Sequence, residues 1–317
     1  MDAQTKILQL KNNITQSLRP LIGRKCIILD APYYHNIGDV LIWKGEMSFL
    51  SEHHVHCLYN ASYETCTFPK IAKDVTVLFN GGGNLGDIYP EHMLFLKKVV
   101  SRYPDNLIVI CPQTVYYKDK SHMESDFELL QQHKDLYFCA RDKVTYDTLV
   151  EYFGEQTRIV PDMAFYIPEV NLRKYALKET KNKLVIERKD CESLAGRMPS
   201  ENGDISDWPT FEHSFHRTTF LNKVLKKFSD AHIPFVSTSC NHFWNYYFTH
   251  CFAEMMFKEG VRFISPYKKV ETTRLHGCIL SLLLGKEITL VDNSYGKNRN
   301  FYDTWLYDVD NVKLKSK

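Results

Sequence analysis

Short, uninterrupted apolar stretches alternate with helical patterns along most of this chain, and that alternation limits its fold more than any other feature. Residues 26–29, 55–59, 75–79, 107–110, 136–140 and 158–160 read as strands. Between them, helical spacing covers about 40–50, 91–100, 123–132 and 143–152, while Ile7, Leu10, Ile14, Leu18 and Leu21 mark an opening amphipathic helix. Strands apolar on both faces belong in a parallel sheet covered by helices on each side. Residues 168–183 are polar and charge-rich and read as a linker, after which the alternation resumes. Strands are expected at 184–186, 235–237, 261–264 and 288–291, with helices at 220–231, 246–257 and 276–284.

This pattern predicts an α/β fold: two doubly wound, Rossmann-like domains facing across a cleft. The first covers 1–168 and the second 183–296, with the segment from about 297 to 317 packing back on the first; 317 residues suffice for two domains of ordinary size. Ligands in such folds bind beyond the carboxyl ends of the strands, which places the site in the cleft. Residues 190–217 are long and weakly periodic, and loops of that length inside a domain are usually functional or mobile.

Composition narrows the function classes. With 40 Lys and Arg against 38 Asp and Glu, the net charge of +2 gives no bulk electrostatic grip on nucleic acid. The first twenty residues lack the apolar core of a signal peptide, and the longest apolar stretch, residues 278–284, is far short of the ~20 that span a bilayer. The opening helix reads as packing on the sheet rather than docking on a membrane. Nine scattered cysteines without a C-x-x-C pair read as free buried thiols in a reducing cytosol. His242 and His250 lack a third ligand, so no metal site is expected.

Four motifs offer chemistry. Tyr33–Asp39 follows the first strand, where Asn36 and Asp39 present an amide and a carboxylate to hydroxyls; the competing reading is that Asp39 caps the next helix. Asn80–Asp87 (NGGGNLGD) fits G-x-G-x-x-G, but the next strand runs into Cys111-Pro112-Gln113 rather than an acidic residue, which argues against a nicotinamide cofactor. A glycine-lined approach to sugar or phosphate remains, with Asn84 and Asp87 as polar contacts. Thr272–Gly277 (TTRLHG) opens a late helix, where orphan N–H groups, the Arg274 fork and the His276 imidazole suit an anion and proton transfer. Glu187–Asp190 (ERKD) leaves the first strand of the second half and puts Arg188 at the same sheet edge as Arg274; its competing reading is a solvated charge run.

Together, NIGD, GGGNLGD, ERKD and TRLHG, with ARD at 140–142 and VPD at 160–162, resemble the polysaccharide pyruvyl transferase family from about Cys26 to Val291. The resemblance implies a GT-B-like fold and a metal-free transfer of the pyruvyl unit of phosphoenolpyruvate to two hydroxyls of one sugar, giving a cyclic ketal. Phosphoenolpyruvate is then a co-substrate, and no cofactor is required. It further implies that Arg188, Arg274, Leu275 and His276 hold the donor, while Asn36, Asp39, Asn84 and Asp87 face the acceptor. His276 is the expected acid/base, and Asp39 or Asp87 the base for the sugar hydroxyl. The implied acceptor is a sugar of a lipid-linked polysaccharide repeat, galactose first and an N-acetylhexosamine second, at the inner face of the membrane, with at most peripheral membrane contact. Two other readings stay open: a GT-B-type nucleotide-sugar glycosyltransferase and a non-catalytic glycan-binding protein.

Overall fold

The computed structural model describes residues 1–190, 203–212 and 234–315. It contains two parallel sheets. The first has strands β1 (Lys25–Leu29), β2 (His56–Ala61), β3 (Thr76–Phe79), β4 (Gly82–Gly86), β5 (Ile108–Tyr116), β6 (Leu136–Ala140) and β7 (Thr157–Ile159). The second has β8 (Lys181–Ile186), β9 (Asp204–Ser206), β10 (Tyr267–Thr272), β11 (Glu287–Val291) and β12 (Val312–Lys315). The first is ordered β2-β1-β3-β5-β6-β7 with β4 beside β5, and the second β12-β11-β10-β8-β9. In each, the direction of winding reverses next to the sheet's first strand, between β1 and β3 and between β8 and β10. Loops leaving adjacent strands diverge at such a reversal and open a crevice there.

Strands β1–β3, β5–β8 and β11 form where apolar runs predict them. Ile27, Ile28, Leu29, Val77, Phe79, Ile108, Ile110 and Phe138 are buried in the first sheet, and Leu184, Ile186, Val270 and Leu290 in the second. One apolar cluster runs without a break from Leu10, Ile14 and Ile28 to Leu184, Ile186 and Leu280, so the sheets share a core. Helix Ile37–Glu52 is central to it, burying Ile37, Val40, Leu41, Trp43, Phe49 and Leu50. The opening helix, Ala3–Leu18, buries Leu10, Ile14 and Leu18 in the same cluster. The last segment touches both halves: Trp305 Nε1 donates to the Arg141 carbonyl at 2.8 Å, while β12 extends the second sheet beside β11. Among the described residues, no helix is long and apolar enough to cross a membrane.

Several expected elements are corrected. Residues 261–264 end the helix Ala253–Ile264, because Ala253, Met256, Phe257, Gly260, Val261 and Ile264 recur at helical spacing and bury one face. The strand of that region is β10, six residues later, where Lys268, Lys269 and Glu271 interrupt the apolar signal. Residues 235–237 lie in the helix Pro234–Tyr247, opened by a proline at a position that needs no N–H. The linker stretch contains a short helix, Glu169–Arg173, and the start of β8. Strand β5 continues past Pro112, with a register shift against β6 between Ile110 and Gln113, as a proline inside a strand demands. The glycine-rich segment expected as a loop forms β4, where Gly86 has a φ of 136° and a Cβ would meet the Tyr116 carbonyl oxygen. The helix expected at 220–231, and residues 191–202 and 213–217 of the long loop, lie outside the described residues.

Candidate functional site

A cavity of about 410 Å³ opens between the two reversal points and is lined from both sheets. From the first come Asn36, Asp39 and Asn84; from the second, Arg188, Arg274, Leu275 and His276. Seven of the residues singled out from sequence therefore share one space. Asp87 does not join them. It lines a separate groove with Lys97 and Asp126, and its Oδ2 accepts from the Lys118 and Asp119 N–H groups at 2.7 and 3.1 Å. Because β4 is a strand rather than a loop, the turn at Gly86 directs Asp87 away from the cavity, and its sequence-based place as base or acceptor contact is withdrawn.

The second-sheet wall is built by β8 and β10. Arg188 leaves β8 with its N–H donating to Thr273 Oγ1 at 3.0 Å, which ties the two loops together. Arg274 is the N-cap of helix Leu275–Leu283, and no side chain caps that helix, so its first-turn N–H groups and dipole face an uncapped end. Both guanidinium groups meet carboxylates. Arg274 grips Asp207 through Nε and Nη2, the second contact at 2.6 Å, and Nη2 also reaches Asp190 Oδ2 at 3.2 Å. Arg188 forms a two-pronged pair with Asp190 through Nε at 2.8 Å and Nη2 at 3.0 Å. Asp207 is buried and also accepts from the Trp208 N–H, so it is a fixed brace that sets the plane of the Arg274 fork. Phe211 covers that fork, its ring centroid 4.8 Å from Cζ. Lys297 brings a third cation to the wall.

His276 sits in the first turn of the helix after Arg274. Its Nε2 lies 3.2 Å from Asp162 Oδ2, and Arg141 Nη1 donates to the same oxygen at 2.8 Å. Burial alone would raise the Asp162 carboxyl, but His276 and Arg141 beside it hold it well below the usual carboxylate range. Asp162 therefore stays ionised and fixes the imidazole from behind. On the opposite edge, a Cβ on Gly38 would come 2.6 Å from His276 Nδ1, so only glycine lets the start of helix Ile37–Glu52 approach the ring this closely. Gly38→Ala is expected to push the imidazole aside and lower turnover about 100-fold, the usual cost of displacing a reacting group by an ångström. The check is steady-state kinetics beside a circular-dichroism melt, in which the fold should survive.

The first-sheet wall is hydroxyl-binding in character. Asn36, not Asp39, caps its helix: Asn36 Oδ1 accepts from the Gly38 N–H at 3.0 Å and Asn36 Nδ2 donates to Asp39 Oδ2 at 2.7 Å. That leaves Asp39, 7% exposed, as a buried carboxylate at the cavity. Asn84 Nδ2 donates to the Tyr34 hydroxyl at 3.0 Å. Burial, with Asp39 and Asp30 close by, raises the Tyr34 phenol well above its ordinary value, so it remains a neutral donor. Tyr63, Tyr89 and His92 add ring faces and edges. The first-sheet wall thus suits a polyhydroxylated ring and the second an anion.

Sequence reasoning missed Asp162, Arg141, Asp190 and Asp207 as parts of the site. Asp162 and Arg141 lie in the VPD and ARD motifs, whose sequence alone carries no sign of their role. Asp207 sits in the weakly periodic stretch, where no local pattern marks it.

Comparison with known proteins follows the same lines. A model of the polysaccharide pyruvyl transferase family matches residues 36–295. EpsO of Bacillus subtilis strain 168, which bears a pyruvyl transferase name, is 32% identical over 99% of this chain and 96% of its own length. Pyruvyl transferase 1 of Schizosaccharomyces pombe is 24% identical over 90% of this chain and 70% of its own. A crystal structure of a functionally uncharacterized Klebsiella pneumoniae protein superposes with a TM-score of 0.66 at 20% identity, covering 97% of this chain and 99% of that one, which shows a shared fold.

Proposed function

The chain belongs to the polysaccharide pyruvyl transferase family, and from that premise we propose that it transfers the pyruvyl group of phosphoenolpyruvate to two hydroxyls of one sugar, closing a cyclic ketal. The observation that carries this reading is the convergence of Arg188, Arg274 and His276 on one cavity, opposite Asp39 and Asn84. Phosphoenolpyruvate has a carboxylate and a phosphate on one small frame. Two guanidinium groups, Lys297 and an uncapped helix start supply matching charge, with Leu275 offering its backbone N–H. Asp190 and Asp207 orient the forks and offset part of that charge, which leaves the site suited to one small anion rather than a chain of phosphates.

In the proposed reaction the methylene carbon takes a proton from His276 and the central carbon becomes cationic. A sugar hydroxyl adds there and loses its proton to a base. The bond from the central carbon to the phosphate oxygen then breaks, the phosphate leaving with the electron pair, and the second hydroxyl closes the ring as its proton passes to the departing phosphate. As written, the sequence calls on phosphoenolpyruvate as co-substrate and on no resident cofactor. The two sheets act as two domains of GT-B type, residues 1–168 receiving the acceptor through Asn36, Asp39 and Asn84, and residues 183–296 holding the donor. The acceptor is a galactose of a lipid-linked polysaccharide repeat, reached in the cytoplasm at the inner face of the membrane.

A nucleotide-sugar donor is distinguished by mass action. Phosphoenolpyruvate at a hundredfold excess over Kd should stabilise the fold by about 2.7 kcal/mol in a thermal-shift assay, while a UDP-sugar leaves the melting curve unmoved. The reverse result would favour a glycosyltransferase, and no response to either a glycan-binding role.

A further inference from the structure

One pair of titratable groups at the cavity is not used by the mechanism above. Asp30 follows β1 directly with a φ of 69°, a left-handed conformation that few residues other than glycine, asparagine and aspartate adopt. It is 5% exposed, and its Oδ2 lies 2.7 Å from His92 Nδ1, so the imidazole N–H donates to the carboxylate. The other oxygen, Oδ1, is buried and has no hydrogen-bond partner among the described residues. His92, in the first turn of helix Pro90–Arg102, is also 5% exposed and lines the cavity. The rings of Tyr34 and Tyr63 stand edge-on to it, at centroid distances of 6.3 and 5.3 Å, and fix its plane. Among the described residues no group hydrogen-bonds its Nε2. A histidine whose Nδ1 is held by a buried carboxylate, with Nε2 left for the cavity, has the geometry of an oriented proton acceptor.

We propose that His92, positioned by Asp30, is the base that takes the proton of the attacking sugar hydroxyl. The inference rests on the pyruvyl-transfer reading. The O–H bond breaks toward His92 Nε2, the oxygen's electron pair forms the bond to the central carbon of phosphoenolpyruvate, and the methylene carbon receives the proton held by His276. His92 then returns its proton to solvent, and His276 takes one up from solvent, which restores both imidazoles. Asp39, the sequence-level candidate for this role, already accepts from Asn36 Nδ2 and is better placed to hold the hydroxyl than to deprotonate it. His276 serves the donor wall and His92 the acceptor wall, so the two proton transfers fall on different imidazoles.

The surroundings of the pair give the test its direction. Burial disfavours a charged His92, yet Asp30, Glu91 and Asp39 around it hold its value above that of an ordinary histidine. Burial also pushes the Asp30 carboxyl up to about 6, with Asp39 and Glu91 adding to the rise and His92 opposing it. A base must be neutral to act. Activity should therefore rise with pH through a limb lying above about 6.5, the usual histidine value. Phosphate release and mass-detected pyruvylation are measured on the full chain with phosphoenolpyruvate and a panel of galactosides and N-acetylhexosaminides. His92→Gln should lower kcat about 100- to 10,000-fold while phosphoenolpyruvate still raises the melting temperature. Asp30→Asn, which tolerates the left-handed backbone, should lower kcat and move the acid limb to lower pH. A His92→Gln enzyme with wild-type turnover overturns the proposal. So does an Asp30→Asn enzyme that is weaker by one factor at every pH with its limb unmoved, the mark of a purely structural pair. If wild type pyruvylates no acceptor, the pyruvyl-transfer reading fails and takes this inference with it; wild-type turnover with unaffected variants refutes the dyad alone.

Discussion

Arg274→Ala should be the most damaging single change in this protein, because it removes a charge proposed to hold the donor and a structural partner together. The guanidinium is buried between Asp207, 2% exposed, and Asp190. Among the described residues, deleting it leaves Asp207 as a buried carboxylate held by the Trp208 and Lys189 N–H groups. Breaking a buried pair from one side typically costs about 3–5 kcal/mol, enough to depress the melting temperature by many degrees. Loss of a preorganised charge facing the developing phosphate should further reduce kcat about 100- to 1,000-fold. Arg274→Lys separates the two effects. An ammonium can satisfy Asp207 as a point charge but cannot fork between Asp207 and Asp190, so that variant should fold near-normally and still lose about 100-fold in turnover. A fully active lysine variant would show that the fork is not what the donor needs.

His276→Ala is expected to act on rate with far less effect on folding. The imidazole is the proposed proton donor to the methylene carbon, and general acid catalysis is worth about 100- to 10,000-fold. Its partner Asp162 keeps Arg141 Nη1 and the Ala164 N–H after the change, so no buried charge is orphaned. The sign of the pH effect also follows. The Asp162 value is depressed in the fold, so its contribution to stability is fully present above the ordinary carboxylate value of about 3.9 and is lost only as pH falls below it. No limb in the rate profile between pH 5 and 9 should therefore belong to Asp162. Kinetics of His276→Ala across that range, with thermal melts alongside, check both statements; wild-type kcat in this variant would remove His276 from the mechanism.

How much of this was legible from residues alone varied with the physical signal. The first sheet was readable except for β4, because Cys26–Leu29, Val75–Phe79 and Leu136–Ala140 are largely apolar runs that end at polar loops. The second was harder, since β10 carries Lys268, Lys269 and Glu271 and the helix ahead of it ends in Val261 and Ile264. Period, not hydrophobicity, separates those two. The cavity residues were legible where short motifs follow strands at a reversal of winding, as with Asn36, Asp39, Arg188 and Arg274. Asp87 was misplaced because the glycine-rich stretch was read as a loop, whereas as β4 it turns its last polar residue away. The acids that brace the arginines, and the pairing of Asp30 with His92 across 62 positions, depend on three-dimensional contact and leave no local trace.

The most direct test is mass spectrometry of a terminal galactoside incubated with the full chain and phosphoenolpyruvate. The expected product is heavier by one pyruvyl ketal, with one phosphate released for each sugar modified and product formed about 100-fold more slowly by Arg274→Lys. An unmodified sugar across the whole acceptor panel, or sugar transfer from a nucleotide donor in its place, would contradict it.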